Sequence, residues 1–133
     1  MLVVIDTNVL VSGLINPDGA PARVVDLVLA NVIQVAFDDR ILAEDQEVLT
    51  RKPFSFHPRH VGALLDHFRL NGWQVSAPLL PGGKYPDPSD LPFAEVALAS
   101  RAAILITGNA PHFTFLQDLG IAVLSPREFL RHL

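Results

Sequence analysis

Four apolar residues, Leu2-Val3-Val4-Ile5, run unbroken into Asp6, and no other feature restricts the fold as much. A strand with one wet face alternates apolar and polar residues. A continuous run marks a strand buried on both faces, as in a parallel sheet covered by helices. Similar runs recur at Val32–Phe37, Ala103–Thr107 and Ile121–Leu124, with a weaker one at Trp73–Ala77. Helical patterns fill the gaps between them. Strands alternating with helices predict an α/β fold with a mainly parallel sheet of about five strands.

The helices announce themselves locally. Pro21 opens one that runs to about Ala30, and Asp38 is placed to cap another running to about Thr50. Val61, Leu64, Leu65 and Phe68 fall at i, i+3, i+4 and i+7, the spacing of an amphipathic helix. Phe93, Val96 and Ala97 repeat the pattern after Pro92. Ser125-Pro126-Arg127-Glu128 reads as a capping box with proline at the first helical position. Two loops are expected: residues 51–58, where basic and aromatic residues mix, and the proline- and glycine-rich stretch 78–92.

With 133 residues, half of them hydrophobic and 18% charged, the chain suits one domain over residues 1–133 with a real core. No cysteine is present, which excludes disulfides, thiolate metal sites and a cysteine nucleophile. The apolar N-terminus has no basic n-region and carries Asp6, so it reads as neither signal peptide nor anchor. A cytoplasmic, non-membrane protein is expected. The net charge of −4 gives no global sign of nucleic-acid binding. An acidic protein still handles RNA where a metal neutralises its acids and a local basic patch meets the backbone.

The polar residues of interest follow the strands. Asp6-Thr7-Asn8 comes directly after the first, and sites in open α/β sheets form outside the carboxyl ends of strands. The competing reading is a helix cap, for which all three residue types are suited. Thr107-Gly108-Asn109 follows Ile104-Leu105-Ile106 and reaches the same edge if both strands are parallel; its plain reading is a turn capped by Asn109. Asp87, Ser89, Asp90 and Glu95 surround a helix start, where an acid is also favoured by the dipole alone. In the segment 41–49, Ile41, Leu42, Val48 and Leu49 form the buried arc; Asp45 lies near its middle, Glu44 at its edge, and Glu47 points away. A carboxylate turned inward requires a partner: a metal, a base or a cap. Acids gathered from separate segments suit hard Mg²⁺ or Mn²⁺, which can acidify water and stabilise charge on a phosphate.

Other chemistry finds less support. The histidines at 57, 60, 67, 112 and 132 show no HExxH spacing and read as surface residues. His57 and His60, with Arg51, Lys52 and Arg59, are candidates for a phosphate-facing patch; a solvated loop is the alternative. Phe54, Phe56 and Trp73 can stack bases, but core packing is the preferred reading. Ser12 lacks a GxSxG context, and neither GxGxxG nor a P-loop occurs.

The segments VVIDTNVLVSGL, LAEDQEVLTRKPF, DPSDLPFAEVALASRAAILITGNAPHF and VLSPREFL, taken in order, resemble PIN domains, in particular the VapC-like toxins of bacterial toxin–antitoxin pairs. The resemblance implies a three-layer α/β/α sandwich and a ribonuclease using Mg²⁺ or Mn²⁺. It places the catalytic set at Asp6, Glu44, Asp90 and Asn109, with Asp6, Glu44 and Asp90 as metal ligands. Asn8 and Thr107 match the polar residues that support the acids, and Asp45 and Asp87 are further supporting candidates. The resemblance also implies an RNA substrate, a small antitoxin covering the site with a basic or helical segment, and a homodimer for which the helix around Val61–Phe68 is one candidate face. The chain departs from the family pattern at Asn109, where many members carry Asp, at Asp45, where an apolar residue is common, and at Ser89, where an acid is common. Those departures leave a second expectation open: a PIN-like module of weak or no activity that binds RNA or protein. A dehalogenase-like phosphatase also begins with a strand ending in Asp, but needs a second Asp where this chain has Asn8.

Overall fold

The computed structural model describes residues 1–83 and 85–133. Lys84, inside the expected 78–92 loop, lies outside the described residues. The elements run β1 (Leu2–Ile5), α1 (Thr7–Ile15), α2 (Ala20–Leu29), β2 (Gln34–Phe37), α3 (Asp39–Leu49), α4 (Pro58–Asn71), β3 (Trp73–Gln74), α5 (Leu91–Ser100), β4 (Ile104–Ile106), β5 (Ala122–Leu124) and α6 (Pro126–His132). A short 3₁₀ turn, Pro88–Asp90, precedes α5, and a longer 3₁₀ segment, Ala110–Leu119, links β4 to β5.

The sheet has five strands in the order β3-β2-β1-β4-β5, and all neighbouring pairs are parallel. The chain lays β1, β2 and β3 outward in one direction, then returns to place β4 on the other side of β1. This reversal is the switch point at which the loops leaving two adjacent strands diverge and open a crevice. Here the two strands are β1 and β4, joined in register with Ile5 opposite Ile106.

Strand periodicity divides the core into two layers. Val3, Ile5, Val35, Ile104 and Ile106 face a cluster that includes Val24, Val28, Leu64, Leu65, Phe68 and Phe129 from α2, α4 and α6. Val4, Ala36, Leu105 and Val123 face the other way, onto Phe93, Val96, Phe113 and Leu116. The result is the expected three-layer α/β/α sandwich. The alternating side chains of β1 have no exposed face to choose, which is why its sequence is apolar throughout.

Several local expectations need correction. The helix α1 was anticipated only as a possible cap; TNVLVSGLI is apolar nearly all round and carries no amphipathic signature. Strand β2 begins at Gln34, because Asn31 sits at φ 59° in the turn before it and Val32 is exposed. Strand β3 is only Trp73–Gln74, and Trp73 is 54% exposed instead of packed in the core. The loop ends at Asp87, whose side chain accepts from the Ser89 N–H and starts the 3₁₀ turn; Pro92 lies inside the first turn of α5. In α4, Val61, Leu64, Leu65 and Phe68 are all buried against the sheet, so they form no dimer face. The capping box at Ser125 and Glu128 forms as anticipated. No helix among the described residues is long and apolar enough to cross a membrane.

Candidate functional site at the carboxyl edge of the sheet

The loops leaving β1 and β4 are tied together. The Asp6 N–H donates to the Ile106 carbonyl at 2.9 Å, and the Gly108 N–H donates to Asn8 Oδ1 at 3.1 Å. Thr107, fully buried, donates from Oγ1 to Asp6 Oδ2 at 2.8 Å, and the same oxygen accepts from the Asn109 N–H at 2.9 Å. Asp6 occupies the position before α1, yet its side chain makes no capping bond to that helix. The cap reading therefore fails: the carboxylate is held across the crevice by Thr107.

Helix α3 brings the next acids. Thr7 Oγ1 donates to Asp45 Oδ1 at 2.7 Å and lies 3.3 Å from Glu44 Oε2. Asp45 is 1% exposed, in line with its place in the middle of the buried arc, and Thr7 is the partner that its burial required. Glu44 is less buried, at the rim, and Glu47 is turned outward onto Arg51. The third segment is the start of α5. Asp90 also sits before a helix without capping it; Oδ2 instead meets His112 Nδ1 at 2.8 Å. Glu95, one turn on, faces elsewhere: it is buried, paired with Arg40 at 2.7 Å, and accepts from the Leu80 N–H.

These acids feel one another. Burial pushes Asp6 up to about 6, against the lowering effect of the Thr107 bond, and the charges of Asp90 and Glu44 raise it further. Burial raises Glu44, and Asp90 adds to the rise. Asp45 is pushed to about 7, by burial first and then by Glu44 and Asp6. Asp90 is raised by burial and by Asp87, against the opposing effect of His112. Three carboxylates from three segments, Asp6, Glu44 and Asp90, thus repel each other across one crevice. An oxygen-rich, electronegative set of this kind fits a hard divalent cation, which offsets both the burial of the carboxylates and the charge of their neighbours.

Asn109 reaches the same crevice from the β4 side. It precedes the 3₁₀ segment without capping it, and its side-chain Nδ2 lies 3.0 and 3.1 Å from the two ring nitrogens of His112. His112, expected at the surface, is half-buried and joins the candidate crevice through Asp90 and Asn109. Asp87, Asp90 and His112 each offer a ligand atom within 4.8 Å of the others. The signal available in the sequence was the spacing Asn109-x-x-His112 directly after a strand. Of the basic candidates, Arg51 donates from Nε and Nη2 to the two carboxylate oxygens of Glu47 at 3.1 and 2.8 Å, while Lys52 and Arg59 are exposed. Phe54 and Phe56 stack on each other, centroids 5.3 Å apart.

A parallel three-layer sandwich with acids converging at its switch point defines a class of small α/β proteins whose site is built from carboxylates. The family model described as "PIN domain" matches residues 2–110, and the chain belongs to that family. The fold is similar to a crystal structure of VapBC2 from Rickettsia felis bound to a DNA fragment from their promoter, at 20% identity, a TM-score of 0.51, and coverage of 94% of this chain and 98% of that one. No curated protein matches the chain.

Proposed function

We propose that the chain is a Mg²⁺- or Mn²⁺-dependent endoribonuclease and the toxin half of a toxin–antitoxin pair, acting as a single domain over residues 1–133. The observation that carries this reading is the gathering of acids from three segments at the switch point, with Asp6 held by Thr107, Glu44 beside Thr7 and Asp90 against His112. Those three carboxylates would hold the cation. When bound, it supplies positive charge against a phosphodiester and acidifies water. The chain's own polar residues do the positioning. Thr107 fixes the carboxylate of Asp6. Asn8 locks the β1 and β4 loops at one separation. Thr7 keeps Asp45 oriented under Glu44. Lys52 and Arg59, with Arg51 less available, are the residues that would meet the RNA backbone.

An antitoxin partner is supported by the solved complex, in which a similar fold occurs in a VapBC assembly. It is also supported by an apolar groove of ≈380 Å³ between α1, α2 and α4, lined by Leu14, Pro17, Val25, Leu29 and Ala63.

The test is Asp6→Asn, assayed for Mn²⁺-dependent cleavage of single-stranded RNA, with circular dichroism to check the fold. Loss of cleavage with an intact fold is expected; an unchanged rate refutes the assignment. Asn109 favours a second reading, a PIN-domain module of weak activity, because an amide brings no negative charge to the crevice. Mn²⁺ titration followed by thermal unfolding separates the two: a cation site raises the melting temperature through linkage, and a flat response favours the module.

A further inference from the structure

We infer that His112, together with Asp87 and Asp90, is a nitrogen ligand for the divalent cation, and that it biases this site toward a transition-metal ion such as Mn²⁺ over Mg²⁺. The inference rests on the reading of the crevice as a cation site. It starts from the vacancy in charge left at Asn109. The chain that follows Asn109 is a 3₁₀ segment, whose first turn closes from His112 back to Asn109. The His112 N–H donates to the Asn109 carbonyl at 3.1 Å, and the imidazole lies against the Asn109 amide, where a carboxylate would have brought negative charge. Asp90 and Asp87 arrive from the other side, on the 3₁₀ turn before α5.

The donor atoms fit a shared ion. One ring nitrogen and one oxygen from each acid lie within 4.8 Å of one another. Ligands held about 2.0–2.2 Å from an ion are separated by about 3–4 Å, so a small closure suffices. The His112 side chain is 34% exposed, and that of Asp90 18%, so an ion reaches them from solvent without unfolding. Asp87 is already oriented, its Oδ1 accepting from the Ser89 N–H and hydroxyl at 3.0 and 2.8 Å. Ser89, where the family pattern has an acid, thus works as a support for its neighbour. Mg²⁺ prefers oxygen and holds its water tightly, whereas first-row transition ions accept imidazole. A mixed nitrogen and oxygen set separates these two metals, which an all-carboxylate set does poorly.

The alternative is that the His112–Asp90 contact is a structural tie between the 3₁₀ segment and α5. The experiment uses the full chain loaded with Mn²⁺ alone or Mg²⁺ alone, and pulsed EPR of the Mn²⁺ form. Nitrogen modulation of the Mn²⁺ signal is expected in the native chain and absent in His112→Ala and His112→Gln. Calorimetry should find that either variant weakens Mn²⁺ binding about tenfold or more, with Mg²⁺ affinity changed less than about twofold. Mn²⁺ that binds, is weakened by Asp6→Asn, and carries no nitrogen coupling overturns the role of His112 and leaves the cation site standing. Absence of Mn²⁺ and Mg²⁺ binding in the native chain overturns both.

Discussion

Replacing Asp6 by Asn should stabilise the metal-free protein at neutral pH while removing the activity proposed for it. Asp6 is buried, and burial with the charges of Asp90 and Glu44 pushes its carboxyl from 3.8 to about 6. A carboxyl whose folded pKa exceeds its unfolded one binds more protons in the folded state between those values. Its contribution to stability is therefore present at low pH and lost as pH rises through about 6. At pH 7.5 the loss is roughly two pKa units, or about 3 kcal/mol. Asn is nearly isosteric, carries no charge and still accepts from Thr107. Its new N–H groups need partners, which reduces the expected gain to about 1–3 kcal/mol. For a chain of this length that is about 3–10 °C in melting temperature. Thermal unfolding in EDTA at pH 7.5 and pH 4 measures it: a clear gain at pH 7.5 and under about 1 kcal/mol at pH 4. Added Mn²⁺ should then raise the native melting point and leave the variant unmoved. A variant no more stable than the native chain at pH 7.5, or equally stabilised at both pH values, refutes the electrostatic reasoning.

Two further outcomes test the scaffold. Arg40→Ala leaves the carboxylate of Glu95 buried without its cation and should cost about 3 kcal/mol in urea unfolding, part of it recovered by adding Glu95→Gln. Gly72→Ala would bring a Cβ to 2.8 Å from both the Phe37 ring and the Val35 carbonyl, a loss of about 2 kcal/mol or more; Gly62→Ala, in open space on α4, should be neutral or stabilising by up to about 1 kcal/mol.

What the sequence reveals depends on whether the cause is local. The β1 and β4 runs, the α4 spacing and the Ser125 box are written in neighbouring residues, and each appears where its pattern puts it. The inward turn of Asp45 was legible from the helical wheel because burial of α3 is set by Ile41 and Leu49 beside it. The helix α1 escaped notice because both its faces are largely apolar, leaving no contrast to detect. His112 escaped because its partner Asp90 is 22 residues away and meets it only through the fold. Trp73 misled because large aromatics usually find the core, whereas β3 is an edge strand of two residues, both of them exposed. The cap reading of Asp6 failed because its carboxylate is held by a longer-range donor, Thr107, and Asp90 likewise leaves its helix uncapped and meets His112.

The bond from Thr107 to Asp6 spans 101 positions, and the backbone bond from Asp6 to Ile106 nearly as many. A ribosome must therefore deliver most of the polypeptide before the first strand meets β4. Until then β1 has only β2 to pair with, Asp6 lacks both of its partners from the β4 side, and a nascent fragment stopped short of residue 104 has no crevice. Interrupted synthesis of this protein yields pieces that lack the crevice on which the proposed chemistry depends.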